Sequence, residues 1–78
     1  MTLALGDVRQ NEQFELVTVP DEEIKARLRR LGLHDGVVEC RRQLRGGPTI
    51  VRRSGTQLAI GAGLADRIEI ERAEHQQR

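Results

Sequence analysis

Arg41, Arg42, Arg45, Arg52 and Arg53 fall in one stretch of the chain that holds no acidic residue. A strand–loop–strand hairpin would gather several of them into a basic patch able to recognise carboxylates. Strict alternation along a strand puts Arg41 and Arg42 on opposite faces, so not all of them can join one contact. Arg41, Arg45 and Arg52 are the candidate partner-binding residues, and Arg45, at the loop, is the first choice. The expected partner is an acidic protein surface rather than nucleic acid. Small single-strand readers need aromatic stacking platforms, and Phe14 is the only aromatic residue in the chain.

Other residue types that could do chemistry lack the neighbours they need. Cys40 is the only cysteine, so it has neither a disulfide partner nor a second thiolate at metal-ligand spacing. It lies on the apolar phase of its segment and reads as a core residue. His34 and Asp35 are adjacent in a turn, where neighbouring side chains point apart, and no third ligand follows nearby; they read as a solvated turn. His75 sits in a polar tail. The glycines of "LRGGPTI" and "IGAGLA" match neither the Gly-Lys-Ser/Thr ending of a phosphate loop nor a strand–GxGxxG–helix unit, so they read as turn glycines. No catalytic residue, metal ligand or cofactor site is assigned.

The elements that must carry the arginines are short. "QFELVTV" alternates Phe14, Leu16 and Thr18 with Glu15, Val17 and Val19, which predicts a strand without settling its buried face. Pro20 ends it. Asp21 offers an N-cap oxygen, and Glu22 and Glu23 suit a first helical turn. Ile24, Leu28 and Leu31 follow as a one-faced stripe, predicted to pack on the sheet. Gly32 is placed for a left-handed C-terminal residue, with Leu33 folding back on the last turn. "VVECRRQL" reads as a strand with Val38, Cys40 and Leu44 on one face and Arg42 interrupting it. "RGGP" turns the chain into "TIVRR", "SG" turns it into "TQLAI", with Leu58 and Ile60 on one face, and "GAGLADR" holds a single helical turn. "IEIE" closes with Ile68 and Ile70 inward and Glu69 and Glu71 outward.

About five short strands with tight turns predict a small barrel, whose closure would remove exposed edges. With 78 residues the chain is one domain, residues 1–72, followed by a polar tail at 73–78. Its net charge of +1 argues against a general nucleic-acid or membrane binder. No apolar run approaches membrane-spanning length, and the start "MTLALGDVRQ" lacks the basic and apolar regions of a signal peptide. A soluble, cytoplasmic protein is expected.

The order helix–"LGL"–Gly36–strand–"GGP"–"LAI"–"IEI" resembles the ferrous-iron transport protein A family, from Leu3 to about Glu71. The resemblance implies a mainly β fold, a small SH3-like β-barrel with one inserted α-helix. It also implies a non-enzymatic, cytoplasmic accessory of ferrous-iron uptake. Its partner would be the cytoplasmic region of a membrane ferrous-iron transporter with a GTP-binding domain (FeoB-like), with no nucleic acid and no direct membrane insertion. A similar barrel forms the C-terminal module of metal-dependent repressors, so the alternative is a domain that senses or carries a divalent metal. The chain departs from the family pattern at three places. Asp35 stands where proline is frequent, Asn11-Glu12 replaces a glycine turn, and Arg53 takes an expected apolar, inward position.

Overall fold

The computed structural model describes residues 2–44 and 46–73. The strands are β1 (Leu3–Ala4), β2 (Gln13–Thr18), β3 (Val38–Gln43), β4 (Thr49–Arg53), β5 (Thr56–Ile60) and β6 (Glu69–Arg72). A 3₁₀ turn at Leu5–Asp7 follows β1, α1 (Glu22–Arg30) joins β2 to β3, and α2 (Ala62–Ala65) joins β5 to β6. All strand pairs are antiparallel, in the order β1-β6-β2-β3-β4-β5. This is a mainly β, SH3-like fold with one principal inserted helix. Leu5 beyond β1 and Ile60 of β5 share one buried cluster with Phe14, Val38, Val51 and Ile70. The sheet must therefore wrap around that cluster, yet its order does not close. β1 and β5 remain edges, contrary to the expectation that closure would remove them.

Helix α1 begins and ends on local chemistry. Asp21 Oδ1 accepts the amide of Ile24 at 3.0 Å, satisfying one of the helix's orphan donors. At the other end Leu33 N donates to Leu28 O at 2.8 Å and Gly32 N to Arg29 O at 3.1 Å. With Gly32 at φ +75°, these are the two bonds of a Schellman motif. Leu28 and Leu33 are both fully buried, so the apolar contact that accompanies the motif doubles as core. Ile24 packs against the same cluster. Leu31 does not follow the predicted stripe: the helix stops one residue earlier, and Leu31, at the C-cap, is 37% exposed. The buried partner of Leu28 is Leu33, which the turn returns to the core.

Two register shifts reshape the predicted strands. In β2 the pairing with β6 slips between Leu16 and Thr18. Phe14 and Leu16 face the core, Val17 is exposed, and Val19 is buried again. In β3 the pairing with β4 slips between Cys40 and Arg42. The extra residue, Arg41, resets the alternation. After it Gln43, not Leu44, points inward: its Nε2 donates to Gly6 O at 2.9 Å and lies 3.4 Å from Thr49 Oγ1. Leu44 is left 48% exposed, off the face predicted for it.

The other turns behave as expected. Ser54 and Gly55 both have positive φ between β4 and β5, as a two-residue type I′ hairpin requires. Asn11 takes φ +74° where the family pattern has glycine, a conformation asparagine tolerates. Ile68 and Ile70 are buried, Glu69 and Glu71 exposed.

Candidate partner-docking face

The bulge at Arg41 decides where the arginines go. Arg42 pairs with Ile50, and Ile50 with Ala59; Glu39 pairs with Arg52, and Arg52 with Gln57. Because Cys40, Val51 and Ile60 face the core, these alternate residues form the outer face of β3–β4–β5. Arg41 and Arg42 are both exposed and line one shallow depression of about 360 Å³ with Gln10, Ile50 and Gln57. The opposite-face expectation for this pair fails, because the inserted residue breaks the period of two. Two guanidinium groups and two carboxamides around an isoleucine can donate hydrogen bonds to carboxylates while packing on their aliphatic stems.

Arg52 stands on the same outer face, half-buried, one strand in from Gln57. Among the described residues, no ion pair or side-chain hydrogen bond engages Arg41, Arg42 or Arg52. Glu39 is the single carboxylate on the β3–β5 strands. Arg53 does not join them. Its Nη1 donates to Gly32 O at 3.0 Å, and its Nη2 would lie 3.1 Å from a Cβ placed on Gly36. The inward position at the end of β4 is thus filled by a cation that meets the negative end of α1. Arg45 and His75 lie outside the described residues.

Strict alternation makes Arg42 an interruption of an inner face, whereas the bulge sets it on the outer one. The signal that could have placed it is the Arg-Arg pair itself. A strand with one buried face accommodates two successive arginines either by a bulge, as at Arg41-Arg42, or by giving the inward guanidinium a hydrogen-bond partner, as at Arg53. Gln10 and Gln57 carry no such signal, since only the fold brings them together.

The remaining candidates are placed plainly. Cys40 is fully buried, and burial pushes its thiol pKa up from the ordinary 9.0, with Glu12 and Glu39 adding to the rise. His34 is half-buried rather than solvated, and its Nε2 is buried with no hydrogen-bond partner; Asp35 is exposed. Among the described residues no three His, Cys, Asp or Glu side chains form a group able to hold a metal ion. No helix among them is long and apolar enough to cross a membrane. A larger depression of about 520 Å³ lies between the 3₁₀ turn, the β3–β4 loop and α2, with Asp7 and Asp66 on its rim. Gln43 lines it, but its amide is already bonded to Gly6.

Residues 3–72 match the family model of the FeoA domain. Two solved structures share the fold. The first is an iron uptake regulatory protein (FeoA), 24% identical, with a TM-score of 0.73 over 94% of this chain and 99% of that one. The second, a FeoA-like protein from Clostridium acetobutylicum, is 20% identical, with a TM-score of 0.65 over 99% of this chain and 94% of that one. No curated protein matches the chain.

Proposed function

The chain belongs to the FeoA domain family, and from that premise we propose that it is a non-enzymatic, cytoplasmic accessory of ferrous-iron uptake. It acts by contact with the cytoplasmic region of a membrane ferrous-iron transporter that carries a GTP-binding domain. The observation that carries this reading is the outer face of β3–β4–β5, where Arg41 and Arg42 line a shallow depression, Arg52 stands beside Gln57, and none of the three has a carboxylate partner among the described residues. Unpaired guanidinium groups on a rigid sheet are suited to capture an acidic surface, raising the association rate and its salt sensitivity. Arg45, which follows β3 in the sequence, is assigned to the same proposed contact. Against an enzymatic role stand the sealed Cys40 and the unpartnered His34, which supply no nucleophile–base pair.

The test is binding of the full chain to the purified cytoplasmic region of the transporter across a salt series. The expected result is reversible binding that weakens steadily as salt rises. A parallel titration with Fe²⁺ and Zn²⁺ is expected to show no tight stoichiometric binding. Metal binding together with no affinity for the transporter region would replace this reading with that of a metal-carrying or metal-sensing domain.

A further inference from the structure

Resting on the docking reading above, we propose that the partner's docking segment binds as an extended acidic strand added to the free edge of β5. Among the described residues β5 ends the sheet and pairs with β4 alone. Which of its backbone groups are free follows from the hairpin. In a two-residue type I′ turn, the residues flanking the turn form a hydrogen-bonded pair, here Arg53 and Thr56. Antiparallel pairs alternate, so Leu58 and Ile60 also face β4 with their amides and carbonyls. Gln57 and Ala59 turn theirs to the open edge. Both are exposed, and among the described residues no other backbone group reaches them.

This edge lacks the usual guards. Proteins blunt sheet edges with charge, proline, a bulge or shortness. β1, the other edge, is only two residues long. β5 is Thr56-Gln57-Leu58-Ala59-Ile60, with no charge and no proline, and its register with β4 runs unbroken. Leu58 packs against the core from the inner face, which leaves the edge stiff and ready to template a strand.

Charge decides the occupant. On the outer face Arg52 is the neighbour of Gln57, and Gln57 lines the depression with Arg41 and Arg42. An added strand would lie about 4.8 Å beyond β5, hence roughly 10 Å from β4, a span that an arginine and a glutamate side chain cover together. Glu39 is on the far side of Arg52 from this edge. A second copy paired edge to edge would extend the face with its own arginines, like charge on like. A segment with glutamate or aspartate at alternate positions would place its carboxylates over Arg52 and the depression, while its backbone bonds Gln57 and Ala59.

The experiment is amide hydrogen exchange by NMR on the full chain, with a soluble peptide of alternating Glu and Val and a Lys-Val control. The Glu-Val peptide is expected to slow exchange at Gln57 and Ala59 by about tenfold or more, and the control to leave it unchanged. Thr56, Leu58 and Ile60 are protected from the start. Ala59→Pro removes a donor that β4 does not use and is expected to weaken peptide binding about tenfold with the fold intact. Should that variant unfold, wild-type exchange at Gln57 and Ala59 still decides. If the transporter region binds, yet Gln57 and Ala59 exchange as before and Ala59→Pro binds like wild type, strand addition is overturned and acidic docking stands. If neither peptide nor transporter region binds at low salt, both readings fall. Protection that grows with protein concentration alone gives the edge to a second copy and overturns the proposal.

Discussion

The guanidinium of Arg53 donates from Nη1 to the carbonyl oxygen of Gly32 at 3.0 Å, so the last inward position of β4 secures the end of α1. The residue that looks misplaced in an apolar slot is a cap. A partly buried hydrogen bond from a charged donor is worth about 1.5–3 kcal/mol, of which solvent access removes part. Arg53→Met keeps the stem and deletes the donor. Urea unfolding is expected to show a loss of about 1–2 kcal/mol, and an unchanged midpoint would show the bond to be incidental.

Gly32 and Gly63 should respond to alanine with opposite signs. A Cβ meets nothing within 4 Å at either position, so crowding plays no part. Gly32 sits at φ +75°, where an L-residue costs about 1–2 kcal/mol. Gly63 is inside α2, where alanine gains about 0.5–1 kcal/mol. Thermal melts of the two variants should move apart. A stabilised Gly32→Ala would contradict the Schellman ending.

Leu28 and Leu31 belong to one predicted stripe and should separate cleanly on truncation. Leu28 is fully buried and Leu31 is 37% exposed. Leu28→Ala is expected to cost about 2–5 kcal/mol, and Leu31→Ala less than about 1 kcal/mol. Equal losses in chemical denaturation would place both on the core.

Cys40 should be silent in the native state. Its thiol is buried and its pKa raised, so the neutral form is the folded form. The unfolded chain ionises near the ordinary 9.0 and the folded chain at a higher pH. The stabilisation is therefore whole below about pH 9 and shrinks as pH rises through the folded value, by at most about 1.4 kcal/mol per pH unit. Thiol labelling at neutral pH should proceed at the rate of opening. Fast labelling of folded protein would contradict the sealed core.

What the sequence disclosed is what local physics decides. Asp21, Gly32 and Leu33 start and stop α1 through bonds to residues within five positions, and Ser54-Gly55 sets its hairpin by backbone preference alone. Leu31 and Leu44 leave the faces that their spacing predicts for different reasons. Leu31 keeps the helical period, but the helix ends before it. Leu44 keeps the strand period, but the bulge at Arg41 shifts it outward. Bulges answer to the partner strand, which no single segment records. The same is true of the docking face. Arg41 and Arg52 could be named from composition, whereas Gln57, Gln10 and the bond from Arg53 to Gly32 exist only once distant segments meet.

The central claim is that the outer face of β3–β4–β5 captures an acidic surface of the transporter. It is tested most directly by stopped-flow association with the transporter's cytoplasmic region at low salt. The comparison sets Arg42→Glu/Arg52→Glu against Arg27→Glu/Arg29→Glu, an equal charge change on exposed α1 residues. The account predicts that the sheet-face variant associates about tenfold or more slowly and loses most of its salt dependence, while the helix variant stays within about twofold of wild type. Equal rates for wild type and the sheet-face variant, or a larger loss in the helix variant, would contradict it.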